Sequence, residues 1–129
     1  GVAFEVAEVP ALTLLADRLQ LEVVLRNLLS NAFDAVAAVE PAARRVSLRA
    51  ARLAGGQVLI CVEDSGPGLA PRDLERAFES FRSSKSSGLG LGLVISRAIA
   101  ETHGGRLWGE AADHGIFKLV LPIQETPPP

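Results

Sequence analysis

Three glycines alternate with leucines in Gly88-Leu89-Gly90-Leu91-Gly92-Leu93, and apolar residues then recur at helical spacing through Val94, Ile95, Ala98 and Ile99. The pattern predicts a loop with little side-chain bulk feeding a helix over residues 90–102. Such a junction offers unpaired backbone N–H groups and the positive end of a helix dipole to an anion such as a phosphate. A flexible turn that caps a helix satisfies the same pattern, so this stretch alone leaves both readings open. At 129 residues the chain has room for one domain with a single core.

The remainder alternates between strand and helix patterns. Residues 4–7 and 12–15 are each a candidate short strand. Asp17 is a candidate N-cap for a helix over 18–39 that Pro41 closes. Leu21, Leu25, Leu28, Ala32 and Ala35 or Val36 form its apolar stripe. Asn27, Asn31 and Asp34 fall at i, i+4 and i+7 and share another face. These poor helix formers interrupt an otherwise apolar helix, and such local conflicts mark functional positions. A solvated stripe is the alternative, although it would more often be built from Glu, Lys or Gln.

Residues 44–53 alternate, with Val46, Leu48 and Ala50 on one face. The turn 54–57 follows, then 58–62, apolar on both faces and so a central strand, with Cys61 as core packing. That strand runs into Asp64-Ser65-Gly66-Pro67-Gly68. These residues suit a turn. In a nucleotide site they suit adenine: the Asp64 carboxylate accepts from an exocyclic amine, where guanine would present a repelling carbonyl. Gly66 and Gly68 would then let the backbone pass close to the flat base. Residues 71–78 predict a short helix with Pro71 near its start. Residues 79–87, with Arg82, Lys85 and no periodicity, read as a mobile lid. His103 ends the second long helix before Gly104-Gly105, its ring satisfied by local carbonyls. A final hairpin spans 106–111 and 116–121, with Phe117, Leu119 and Leu121 inward and Trp108 serving packing rather than base stacking.

Composition removes several function classes. A net charge of −2 gives no general attraction to nucleic acid or to an anionic membrane. The single cysteine excludes an internal disulfide and suits a reducing compartment. No apolar run approaches the ~18 residues of a membrane span. The chain opens on Gly1 without a targeting segment and reads as a cytoplasmic domain, 1–125, cut from a longer protein, with a Pro-rich tail at 126–129.

Taken together, the motifs resemble the ATP-binding catalytic domain of sensor histidine kinases, in the superfamily shared with gyrase, a heat-shock chaperone and MutL. Asn27-Leu28-Leu29-Ser30-Asn31-Ala32 is similar to the asparagine box, and Asp64-Ser65-Gly66-Pro67-Gly68-Leu69 to the first glycine box. Ala77-Phe78-Glu79-Ser80-Phe81 is similar to the phenylalanine box, and Gly88-Leu89-Gly90-Leu91-Gly92-Leu93 to the second glycine box. His103-Gly104-Gly105 and Leu121-Pro122 resemble the closing signature. All fall in the family's order and cover nearly the whole chain. The wording of Asn31-Ala32-Phe33-Asp34-Ala35 and Ser83-Ser84-Lys85 is most similar to the nitrogen-, dicarboxylate- and oxygen-sensing branch.

The resemblance implies an α/β two-layer sandwich of the Bergerat type, with a mixed sheet of about five strands and three helices on one face. It implies ATP and Mg²⁺ as cofactors, with Asn31 holding the metal and Asp64 reading adenine. Gly88, Leu89, Gly90, Leu91 and Gly92 line the phosphates, and Gly66, Gly68, Asp34 and Lys85 complete the nucleotide contacts. Asn27, Asn31 and Lys85 are the catalytic candidates. Asp34 stands where many relatives carry Lys or Arg, which leaves Lys85 and Arg82 as phosphate contacts. Ser80-Phe81-Arg82 replaces the usual Pro-Phe-aromatic run, and Ile116 stands where relatives often place Thr. The implied activity is transfer of a γ-phosphoryl group to a histidine on a separate phosphoacceptor domain, with a response regulator downstream. The parent is a homodimer and this fragment a monomer. His103 and His114 both lack the acceptor setting. The alternatives are an ATP hydrolase, an anti-sigma kinase that phosphorylates Ser, and a pseudokinase that binds ATP or a partner. Hydrolases of the superfamily carry a Glu base at the position of Asn27, and the anti-sigma kinases a His after the asparagine box that is missing here.

Overall fold

The computed structural model describes residues 2–7, 18–78 and 92–122. The candidate strand 12–15, the N-cap Asp17, the lid 79–87 and the glycine run up to Leu91 lie outside them. The apolar run at 58–62 becomes strand β3 (Gln57–Asp64), the middle strand of a five-stranded sheet. β3 pairs antiparallel with β2 (Arg45–Leu53) across the 54–56 turn, and antiparallel on its other side with β5 (Gly115–Pro122). β4 (Arg106–Gly109) closes that edge antiparallel to β5, and β1 (Ala3–Ala7) runs parallel to β2 at the other, which makes the sheet mixed.

Period-2 alternation decides what each strand buries. Val46 and Ala50 of β2, Val58, Ile60 and Val62 of β3, and Phe117, Leu119 and Leu121 of β5 turn to the helical layer. Opposite them stand Val24, Leu28, Ala32 and Val36 of α1 (Arg18–Val36) and Ala100 of α3 (Gly92–Thr102). The buried stripe of α1 is thus phased on Val24, with Leu21 and Leu25 half-buried at its margin. The short α2 (Pro71–Ala77) contributes Leu74, followed by Phe78. Two packed layers, a mixed five-stranded sheet and three helices, match the expected sandwich.

The end of α1 and the placement of Cys61 differ from the sequence reading. Helix α1 ends at Val36 rather than 39. Ala37, Ala38 and Val39 take tighter i→i−3 bonds, and the Arg44 guanidinium donates to the carbonyls of Ala37 and Val39. The last carbonyls of the helix are thus taken up by the turn, and an arginine beyond the proline satisfies the carbonyls of the turn itself. Cys61 is buried, but on the sheet face away from the helices, so it does not belong to the core cluster. It lines an open groove of about 250 Å³ with Arg49, Ala51, Leu59, Glu63, Ile116 and Lys118.

Candidate functional site

The motifs converge where β3 leaves the sheet beside α1. Asp64, the last residue of β3, points to the helical side and is only 7% exposed. Its Oδ1 accepts the Gly66 N–H at 2.8 Å. Burial pushes its carboxyl above the usual range, although N–H groups of Gly66 and Gly115 and the charge of His114 pull the other way. Burial and the backbone donors together fix the orientation of this carboxyl.

The glycines here are steric requirements. A Cβ on Gly66 would lie 2.8 Å from the Ala35 carbonyl oxygen of α1. Gly68 has φ +74°, and a Cβ there would overlap the Ala112 carbonyl and meet the His114 nitrogen at 2.7 Å. A Cβ on Gly115 would overlap the Asp64 carboxylate itself. The Asp64–Gly68 turn is therefore wedged between the end of α1 and the 112–115 turn. Ser65 fixes its start, donating to the Ala43 carbonyl at 2.6 Å and accepting the Arg45 N–H at 2.7 Å.

Ala35 lies one helical turn beyond Asn31, so the wedge sets Asp64 beside the asparagine face of α1. Asn31 is half-buried and Asp34 exposed. Asn27, one turn earlier, donates its amide to the Gly92 carbonyl at 3.2 Å and to the Ser96 hydroxyl at 3.1 Å. That fork ties α1 to the first turns of α3, where the second glycine box enters its helix. Ser96 is fully buried on α3. A serine four residues after Gly92 was its only signal, and the sequence reading passed over it. Lys85, Gly88, Leu89, Gly90 and Leu91 lie outside the described residues. Phe78, of the phenylalanine box, packs 6.2 Å from the Phe117 ring, with the Arg97 guanidinium 4.7 Å over it.

Several secondary readings are settled by side-chain direction. Ile116 pairs with Glu63 on the outward face, so it lies on the opposite side of the sheet from Asp64. Trp108 lies on that same outer face, its Nε1 donating to Glu110 at 3.3 Å and Arg106 stacked 4.9 Å over its ring. His103 donates from Nδ1 to the Ile99 carbonyl at 2.8 Å, as a helix-end histidine should. The sequence reading missed the role of Glu63, Asp113 and His114, which form a hydrogen-bonded trio directly behind Asp64.

Comparison with known proteins shows the family of the chain. The family model for histidine kinase-, DNA gyrase B- and HSP90-like ATPases matches residues 16–125. The sensor protein FixL of Bradyrhizobium diazoefficiens is 37% identical over 113 residues, covering 86% of this chain and 22% of FixL. The C4-dicarboxylate transport sensor protein DctB of Rhizobium meliloti is 41% identical over 106 residues, 82% of this chain and 17% of DctB. The solved structure of full-length ShkA in complex with AMPPNP superposes with a TM-score of 0.75 at 33% identity, covering 95% of this chain and 25% of ShkA. The chain thus spans about a fifth of the length of these two curated relatives.

Proposed function

The chain belongs to the family of histidine kinase-, DNA gyrase B- and HSP90-like ATPases, and from that premise we propose that it binds MgATP and presents the γ-phosphoryl group to a histidine on a separate phosphoacceptor domain of its parent protein. The carrying observation is the buried Asp64 carboxylate, held by backbone N–H groups at the end of β3 and wedged beside the asparagine face of α1. It accepts the adenine amine and would repel the guanine carbonyl. Among the described residues no group of three His, Cys, Asp or Glu could hold a metal ion. Mg²⁺ draws most of its ligands from phosphates and water, and here the half-buried Asn31 would supply the protein oxygen. The ion, when bound, neutralises charge developing on the phosphoryl oxygens. Asn27 holds the α1–α3 junction, and Lys85 would supply a cation to the γ-phosphate. Position 27 carries no carboxylate and its amide is committed to Gly92 and Ser96, which favours phosphotransfer over activation of water. The parent acts as a cytoplasmic homodimer that passes its phosphoryl group to a response regulator.

Calorimetry tests this reading. Asp64→Asn is expected to weaken ATP binding by about tenfold or more, the scale of one lost hydrogen bond to a charged group, and GTP should compete poorly. Asn31→Ala is expected to remove most of the Mg²⁺ dependence of binding. Equal ATP and GTP affinity would overturn the role of Asp64.

A further inference from the structure

The 112–115 turn has a face on each side of the sheet. On the helical side, Gly115 abuts the Asp64 carboxylate, and the backbone of Ala112 and His114 fills the space beneath Gly68. On the outer side, the His114 ring sits between two acids: Nε2 lies 2.9 Å from Glu63 Oε2, and Nδ1 lies 3.0 Å from Asp113 Oδ1. Glu63 is in turn bound by Arg49 of β2, its Oε1 2.6 Å from the guanidinium. The turn that floors the nucleotide side is therefore tied to the sheet by a side chain on the far face.

We propose that His114 is a positioning residue for the nucleotide site, a latch that joins Asp113 to Glu63 across the back of the sheet and so holds the 112–115 turn against Asp64 and Gly68. The inference rests on the adenine-reading role of Asp64 proposed above. Its physical basis is direct. Gly115 and Glu63 stand on strands whose register pairs Asp64 with Gly115 and Glu63 with Ile116. His114 extends β5 by one residue on the outward side, diagonal to Glu63. Any movement of the turn that would free space at Asp64 must break the His114–Glu63 bond.

The latch depends on the ionisation of the ring. An imidazolium donates from both nitrogens, whereas a neutral ring donates from one only. The hydrogen bond to Asp113, then the one to Glu63, push the His114 pKa up, so the doubly donating form persists toward neutral pH. Among the described residues the charged and titratable groups facing it are Glu63 on β3 and Asp113 beside it, with Asp64 across the sheet feeling its charge. Around Glu63 stand Arg49 on β2, Cys61 on β3, Lys118 on β5 and Glu110 after β4. The His114 pKa is higher folded than unfolded, so the tether is complete below the ordinary histidine pKa and is lost as pH rises through the folded value.

The test is calorimetric titration with a non-hydrolysable ATP analogue and Mg²⁺ across about pH 6 to 8. It uses the wild-type chain, His114→Gln, Glu63→Gln, the double variant and Asp64→Asn, each first checked for a cooperative thermal melt. The expectation is a wild-type Kd that rises with pH. Each single variant should bind about 3- to 10-fold more weakly near pH 6, the loss of one partly exposed hydrogen bond, with a flatter profile. The double variant should be no worse than either single, because both break one contact. The nucleotide's own protonation is common to all samples and cancels in the differences. If His114→Gln fails to fold, Glu63→Gln removes the charge that favours the imidazolium from the other strand, Glu63→Ala removes the acceptor itself, and the two carry the test. Wild-type affinity and pH profile in the variants, or additive losses in the double, overturn the latch. Full binding by Asp64→Asn defeats the adenine reading and the latch with it. Lost binding in Asp64→Asn beside unaffected His114 and Glu63 variants defeats the latch alone.

Discussion

The two faces of the sheet share residues that are neighbours in sequence, and they treat them in opposite ways. Asp64 and Glu63 are adjacent acids at the end of β3. Asp64 turns inward, where burial pushes its carboxyl up. Glu63 turns outward, where burial also pushes up but the bond from His114 and the charge of Arg49 outweigh it and hold the carboxyl below its usual range. Val62 and Cys61 repeat the contrast, one in the core cluster and the other lining an open groove. Gly115 and Ile116 repeat it on β5. Side-chain chemistry alone does not assign a role here. The face does, and the two-residue period of the strand assigns the face.

The sharpest way to test the contrast is the β5 pair. Gly115→Ala forces a methyl group into the Asp64 carboxylate, which backbone bonds hold in place. The expected cost is about 3 kcal/mol, the upper end for overpacking, with loss of ATP binding in the same variant. Ile116→Ala, one residue on, trims a side chain half-exposed in the groove and should leave ATP affinity unchanged. Chemical denaturation and calorimetry on the two variants give the comparison directly. Equal effects would mean that the inner face holds no special packing at Asp64.

Much of this was legible in the sequence, and each omission has a physical cause. The central position of β3 followed from its unbroken apolar run, and the turn at Gly66 and Gly68 from residues that no Cβ could replace. The end of Asp64's strand was legible because Asp-Ser-Gly-Pro cannot continue a ladder. That same apolar run hid the phase of the strand. With both faces apolar, nothing in 58–62 says which way Cys61 points, and so it was assigned to the core. The parallel pairing of β1 with β2 was equally silent, because residues 4–7 carry no mark of their partner. The latch was invisible for a different reason. His114 and Glu63 lie 51 residues apart, and a histidine beside an aspartate in a turn has no signature beyond polarity. Helix α1 gives way early to the 37–39 turn, whose carbonyls Arg44 takes up from beyond Pro41.

The β3 pair gives a smaller and cleaner contrast. Val62→Ala removes two methyl groups from a site 2% exposed against the helices and should cost about 2 kcal/mol once the cavity is included. Cys61→Ala, beside it and 7% exposed, removes one sulfur atom from the floor of an open groove. Its cost should be about 1 kcal/mol or less, because solvent and the long side chains of Arg49 and Lys118 can close over the gap. Urea titrations would decide, and a Cys61 cost as large as that of Val62 would break the division between the faces.

The smallest expected effect is also the most specific, since it sets the two acids against each other in one titration. Glu63 has a folded pKa below its unfolded value near 4.5, so it contributes stability above that value and loses it as pH falls through the folded pKa. Asp64 has a folded pKa above its unfolded value near 3.8, so its ionised form opposes folding, and acid relieves that opposition. In wild type the two slopes partly cancel as pH falls through the carboxylate range, well below the histidine range. His114 stays protonated in that window, folded and unfolded, because its shift is upward from 6.5. Glu63→Gln should therefore lose less thermal stability on acidification than wild type, and Asp64→Asn should lose more. Glu63 is partly exposed and screened, so the differences in Tm should be about 1–2 °C. The reading is the change of Tm with pH within each variant, because absolute values also carry the lost hydrogen bonds. Identical slopes in all three proteins would show that the sheet does not hold its adjacent acids in opposed environments.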